Sequence, residues 1–247
     1  MFNFFSKSAP IGGKYTVSGQ DFNHLKNVLR MKIGEELLVS FNGKCDLCAV
    51  DSFDDDCAYV YIVKEDYKDF ELPVFISLFQ GLPKSDKMEL IIQKAVELGA
   101  SEIVPVETAR SIVKLDKKKA ENKTQRWLSY GFSESGAKQS KRSIIPNVCT
   151  PIDFNGALAK IKDLDLIIVP YENHDGMKAT EDALSSIKRG DKIGVFIGPE
   201  GGFDKAEISA LEKSGAKTVS LGSRILRTET ASITAIAMIM LYTEAKL

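Results

Sequence analysis

Between residues 14 and 64 the apolar positions fall in short runs separated by turn residues: Lys14 to Ser18, Glu36 to Phe41, Cys45 to Phe53 and Ala58 to Lys64. Runs of this length, rich in β-branched and aromatic residues, read as strands. Asn42-Gly43 stands between two of them, and both residues accept positive φ, so a tight hairpin is expected there. One stretch has a different period. His24, Leu25, Val28 and Leu29 recur at helical spacing and predict a helix over Asp21 to Met31.

After Leu72-Pro73 the pattern changes. Val74 to Phe79, Ile103 to Val106, Leu166 to Val169, Ile193 to Ile197 and Thr218 to Leu221 are apolar without polar alternation. Helical periodicity predicts helices over Lys87 to Leu98, with Gly99 as its stop, and over Lys117 to Tyr130, Met177 to Lys188, Lys205 to Ser214 and Thr230 to Lys246. Strands apolar on both faces and separated by helices point to a parallel sheet covered on both sides, an α/β class. Ligands of such sheets bind at the carboxyl ends of the strands. The chain thus divides into a mostly β domain, 1–72, and an α/β domain, 73–247.

Composition adds that the chain can build a core: of 247 residues, 44% are hydrophobic and 27% charged, which excludes general disorder. The net charge of −1 conceals an asymmetry. Residues 110–142 carry ten basic side chains against three acidic ones, with Trp127, Tyr130 and Phe132 interleaved. That segment suits a phosphate-tracking surface with stacking groups, or equally a solvated helix face whose aromatics point inward. Residues 44–71 hold nine acids and three lysines and should avoid a polyanion. Four cysteines are too few for a disulfide framework, which points to a reducing compartment, so a cytoplasmic protein is expected. Neither a bilayer-length apolar run nor a basic residue ahead of the Met1 to Phe5 patch is present, so no membrane span and no secretion signal are expected.

Most motif searches exclude rather than assign. No G-x-G-x-x-G follows Val74, and Gly81-Leu82-Pro83-Lys84-Ser85 has Pro83 where a phosphate loop needs glycine. Cys45 and Cys48 form a C-x-x-C within a strand, where residues three apart face opposite ways, so no metal is expected. His24 and His174 are the only histidines, which leaves little for a Ser-His-Asp triad. Two loops remain, each following an expected strand. Gly198 to Phe203, GPEGGF, has three glycines that let backbone approach a ligand. Leu221 to Ala231, LGSRILRTETA, sets two arginines, a carboxylate and two hydroxyls ahead of the last helix. Each also has a plainer reading, the first as a tight turn and the second as a helix start capped by Thr228.

Taken together the two loops closely resemble the RsmE family, 16S ribosomal RNA uridine-N3 methyltransferases of the knotted SPOUT class. The likeness extends to His24-Leu25 with Val28-Leu29-Arg30, to Gln80 to Lys84 with Glu97-Leu98-Gly99, and to Gln139 to Arg142. It implies a PUA-like, RNA-binding β-barrel followed by a SPOUT-type, trefoil-knotted, parallel-sheet methyltransferase domain, working as a homodimer on 16S rRNA or the small ribosomal subunit. It also implies that S-adenosylmethionine sits against Pro170, Tyr171 and Glu172, against Gly198, Pro199, Gly201 and Gly202, and against Leu221, Gly222, Ile225 and Leu226. With the charge asymmetry, it suggests RNA contacts at His24, Arg30, Lys84, Arg110, Arg126, Lys138, Lys141 and Arg142. Asn3 stands where the family usually has an arginine, which puts one further RNA contact in question.

Uracil N3 carries a proton and becomes nucleophilic only as that proton leaves. Glu229 or Glu200 is the candidate base, and Arg227 the cation for the charge that develops on the ring. A competing reading makes Arg227 a phosphate clamp and Glu229 its structural partner. Two further readings are a SPOUT methyltransferase acting on another base or a ribose 2′-hydroxyl, and a non-catalytic RNA-binding protein.

Overall fold

The structure, a computed structural model, describes residues 1–84, 86–113, 117–128, 132–171 and 176–247. The chain forms two compact units, Met1–Glu71 with Ala137–Ile145, and Leu72–Gly136 with Pro146–Leu247.

The first unit contains β1 (Asn3–Phe5), β2 (Lys14–Ser18), α1 (Gly19–Asn23), β3 (Glu36–Phe41), β4 (Lys44–Phe53) and β5 (Cys57–Lys64). Its sheet has the order β1-β3-β4-β5-β2, antiparallel except for the β1–β3 pair. Asn42 and Gly43 take φ of 47° and 77°, the mirror-image turn that suits the twist of a hairpin. One sheet face packs Phe4, Tyr15, Leu37, Val39, Cys48 and Val50, while Leu38, Cys45 and Leu47 cluster separately. Cys45 and Cys48 therefore lie on opposite faces, as their spacing requires. Burial pushes the Cys48 thiol up to about 12.

The helix expected over Asp21 to Met31 is shorter and differently wound. α1 ends at Asn23 and a π-helical turn follows over His24–Val28, with Leu29 N–H donating to His24 O at 2.9 Å. Arg30 then adopts φ 54°, and Met31 N–H closes onto Leu25 O, which stops the helix.

A buried ion pair helps tie the segment 137–145 to this unit. Arg142, only 3% exposed, donates from Nε and Nη2 to Glu71 Oε2, and the Ser143 and Ile144 N–H groups donate to Glu71 Oε1 at 2.9 and 3.2 Å. This overturns the expectation that Arg142 contacts RNA: its guanidinium is enclosed and committed to a carboxylate. Asn3 is likewise interior, donating from Nδ2 to Arg142 O at 2.8 Å and accepting from Ser40 Oγ at 3.1 Å. Its amide holds protein backbone at a position where an arginine could not fit without losing these bonds.

The second unit comprises β6 (Phe75–Gly81), α2 (Lys87–Glu97), β7 (Glu102–Glu107), α3 (Lys117–Leu128), α4 (Ser133–Ser140), β8 (Asn147–Val148), β9 (Ile152–Asp153), α5 (Phe154–Lys160), β10 (Leu166–Pro170), α6 (Gly176–Ser185), β11 (Lys192–Ile197), α7 (Lys205–Lys213), β12 (Lys217–Val219) and α8 (Thr228–Lys246), the last four residues of α4 belonging to the first. The sheet is parallel throughout, in the order β12-β10-β11-β6-β7-β8, with β9 also paired to β7. Phe79 and Phe196 stack at 4.3 Å within a core that includes Ile161, Ile208 and Leu211. α8 packs on β6, β11 and α2, supplying Ala235, Ile236 and Ile239 to the buried set. The parallel sheet flanked by helices matches the apolar runs and the expected α/β class, with a barrel-like N-terminal unit beside it in the chain.

Two boundaries differ for identifiable reasons. β12 ends at Val219 because Ser220 pairs instead with the Thr180 hydroxyl of α6, donating at 3.0 Å and accepting at 2.7 Å. α8 begins at Thr228, two residues early, with Arg227 as its N-cap. Thr228 is thus not the cap, and its hydroxyl is engaged elsewhere.

Candidate functional site

Because every strand of the second sheet runs the same way, all the carboxyl ends open on one edge. β12, β10 and β11 are neighbours, so the loops that follow them meet there: Leu221 to Leu226, Pro170-Tyr171, and Gly198 to Gly202. Tyr171 N–H donates to Val219 O at 3.0 Å, joining the first two. Glu172 lies outside the described residues, as do Lys114, Tyr130 and His174. The edge thus gathers nearly all the residues named for the cofactor. Ile225 stands 92% exposed on it.

A buried polar network fixes the central loop. Thr228 O–H donates to Gly198 O at 2.6 Å, Gln80 Nε2 donates to Thr228 Oγ1 at 2.9 Å, and Ser232 Oγ donates to Gln80 Oε1. These groups come from β6, the loop after β11 and the first turns of α8, and Gln80 and Ser232 are fully buried. Each bond removes a polar group that would otherwise be unsatisfied in the interior. Gly81 sits where the chains cross closely: a Cβ there would come within 2.6 Å of Pro199 Cδ and 2.7 Å of its nitrogen. Only glycine allows that approach.

Charge at the edge centres on a residue that the sequence motifs did not single out. Lys87 Nζ lies 3.1 Å from Glu200 Oε1 and 3.3 Å from Glu229 Oε2. The Glu229 side chain is 15% exposed, and its Oε2, though within ion-pair reach of Lys87, accepts no aligned hydrogen bond. Glu200 is better satisfied, because the Lys84 N–H donates to its two oxygens at 3.1 and 3.3 Å. Desolvation pushes Glu200 up, yet hydrogen bonds from its own backbone, Lys87 and Lys84 outweigh it and hold the carboxyl below its usual range. Hydrogen bonding to Glu200 is the first cause holding Lys87 above the usual lysine value. Both therefore stay charged at neutral pH, and this contribution to the folded loop is lost as pH falls through the depressed Glu200 value. One clue to Lys87 was available in its position: a cation in the first turn of a helix opposes the helix dipole and needs a compensating anion.

Arg227, the N-cap of α8, is exposed, and among the described residues no ion pair joins it to Glu229. Glu229 pairs with Lys87, which removes the structural-partner half of the clamp reading. Arg110 donates from Nη1 to Gly201 O at 2.9 Å, bracing the central loop. Arg126 pairs with Glu89 at 2.8 Å and Lys138 with Asp21 at 2.7 Å. His24, Arg30 and Lys84 are exposed, and Lys141 takes φ 63°. Trp127 is 2% exposed, so the one tryptophan of the basic segment faces the interior. Among the described residues no group of three or more His, Cys, Asp or Glu is arranged to hold a metal, and no helix is long and apolar enough to cross a membrane.

The profile of an RNA methyltransferase domain matches residues 70–240, and that of an RNA methyltransferase PUA domain matches 17–45. The chain is 36% identical over 237 residues to ribosomal RNA small subunit methyltransferase E of Bacillus subtilis, covering 93% of this chain and 91% of that one. It is 31% identical to the protein of the same name from Buchnera aphidicola of Acyrthosiphon pisum, over 90% and 85% of the two chains. Among solved structures, ribosomal RNA small subunit methyltransferase E from Neisseria gonorrhoeae bound to S-adenosyl methionine superposes with a TM-score of 0.82 at 30% identity, over 98% of this chain and 97% of that one. Two matching domains and near full-length similarity show that the chain belongs to the ribosomal RNA small subunit methyltransferase E family.

Proposed function

We propose that this protein is an S-adenosylmethionine-dependent methyltransferase of 16S ribosomal RNA in the small subunit, and that it methylates N3 of a uridine. The observation that carries the reading is the convergence of three strand-end loops beside the Lys87, Glu200 and Glu229 cluster. The edge fits such a cofactor on its own geometry. Gly222 takes φ +104° with open space where a side chain would stand, leaving backbone accessible to a planar group. Leu221, with Ile168, Thr180, Val219, Met238 and Ile239, lines a small apolar cleft. Pro170, Tyr171, Gly198, Pro199, Gly201, Gly202, Leu221, Gly222, Ile225 and Leu226 are the residues assigned to holding it.

The bound cofactor supplies a methyl group already activated on a sulfonium. The protein's own task is the acceptor. N3 is hidden in a base pair, so the target nucleotide must be unpaired or flipped outward. The Glu229 side chain is 15% exposed, and with Oε2 buried against Lys87 its other oxygen is the one assigned to take the N3 proton. Glu200 is the weaker candidate, since its oxygens are occupied and its basicity reduced. Arg227 is the cation assigned to the developing charge at O2 or O4.

The reading includes the trefoil knot, for which the Gly81–Pro199 crossing and the Thr228–Gly198 bond provide the close packing that a threaded chain needs. It also includes a homodimer working in the cytoplasm. α8 is apolar around most of its circumference, with Leu241 62% exposed on it and Leu90 43% exposed on α2, which packs against it. The test is to map methylated nucleotides in 16S rRNA from cells with and without this protein, alongside calorimetry with the cofactor. Loss of one N3-methyluridine and a measurable heat of binding are expected. An unchanged methylation map would overturn the reading.

A further inference from the structure

Lys87 has no place in the scheme above, yet among the described residues it is the cation paired with both candidate carboxylates. It comes from the start of α2, Glu200 from the loop after β11 and Glu229 from the first turn of α8, so three remote segments converge on one ammonium. Among the described residues, the charged groups facing Lys87 are these two carboxylates. The two ends of the cluster are unequal: the Lys84 N–H donates to both Glu200 oxygens, whereas the buried Glu229 Oε2 lies 3.3 Å from Lys87 and accepts no aligned hydrogen bond among the described residues.

We propose that Lys87 is a positioning residue for methyl transfer, sharing its ammonium between Glu200 and Glu229 so that the Glu229 carboxylate is held with its buried Oε2 against Lys87 and its other oxygen turned to the acceptor proton. This rests on Glu229 being the proton acceptor. The cluster carries one net negative charge. Without Lys87 it would carry two, in a site only partly open to water, and like charges raise the proton affinity of one member. Glu200 keeps its backbone donors, so the proton would go to Glu229, the group that must be free to accept one.

The experiment is single-turnover methyl transfer to small ribosomal subunits lacking the modification, at saturating cofactor and across pH, with Lys87→Met, Lys87→Arg and Glu229→Gln. Lys87→Met should displace the acid limb of the rate profile upward by about one unit, with a rate loss of about tenfold on that limb that recovers as pH rises. Lys87→Arg should restore most of the rate, and calorimetry should show cofactor affinity retained in both. A Lys87→Met enzyme with the wild-type profile overturns the proposal, as does a loss equal at every pH or one that tracks weakened cofactor binding. Glu229→Gln separates the two levels. If it retains the wild-type rate, the base assignment itself fails; if it is inactive while Lys87→Met is normal, only the role of Lys87 falls.

Discussion

Glu71 and Glu229 are both carboxylates held by a cation from a remote segment, and they differ in what is left over. Around Glu71 the Arg142 guanidinium and the Ser143 and Ile144 N–H groups saturate both oxygens. At Glu229 one ammonium is shared with a second acid, and Oε2 accepts no aligned hydrogen bond. A saturated buried pair is architecture, because nothing remains for a ligand to bind. An undersatisfied pair at the carboxyl edge of a parallel sheet keeps a carboxylate whose interactions are not used up. The contrast separates two acidic residues that a charge count treats alike.

The comparison breaks most decisively at its saturated end. Arg142→Ala leaves Glu71 charged and enclosed, and breaking a buried pair in this way commonly costs about 3–5 kcal/mol. Denaturant unfolding should register that loss, while the salt dependence of RNA binding by the remaining folded protein should not change. If stability is unaltered and the salt slope falls, Arg142 faces RNA after all. The other end is sharpened by Arg227→Ala, expected to lower the saturated methyl-transfer rate by about 10²–10³ with RNA and cofactor affinity nearly intact, the signature of lost transition-state binding. A phosphate clamp gives the opposite pattern, weaker RNA binding at a preserved rate.

Smaller effects test what supports the edge. Thr228→Val keeps the shape but leaves the Gly198 carbonyl without its donor and the Gln80 amide short of an acceptor, a cost of about 1–3 kcal/mol. Weaker cofactor binding measured by calorimetry, with α8 still folded, is expected; unchanged affinity shows that the network does not hold the loop. The smallest effect concerns the basic segment. Lys118 is exposed and Lys141 half-buried, and neutralising either with Gln should reduce the slope of log affinity against log salt by about one. An unchanged slope makes this segment a solvated face.

Strands were legible because fully covered parallel strands leave uninterrupted apolar runs, and the glycine loops because their motifs are contiguous. Other features depend on partners the local pattern does not show. α5 was hidden by Asn155 and Gly156, both poor helix formers, and is secured by Asp153 accepting from Gly156 N–H at 2.7 Å. Arg142 read as one of ten cations because counting charges does not distinguish a paired from a free one. Lys87 read as a helix residue because its two acids stand far along the chain, at 200 and 229. The π-helical turn at His24–Val28 leaves the helical spacing of apolar residues almost unchanged, so periodicity alone reads it as ordinary helix.

The hydrogen bond from Thr228 to Gly198 spans 30 residues, and that from Gln80 to Thr228 spans 148. During synthesis the Gln80 segment emerges long before the hydroxyl that joins it to Gly198, and Gly198 only 30 residues before it. The central loop can gain its native anchor only after residue 228 has left the ribosomal tunnel, so a nascent chain halted before that point lacks the tie however well its strands have paired. Contacts of such range also slow folding, because much chain must be ordered before they repay the loss of freedom. Cofactor binding is therefore expected to appear as a late event in the maturation of the chain, following assembly of the sheet on which the loop rests.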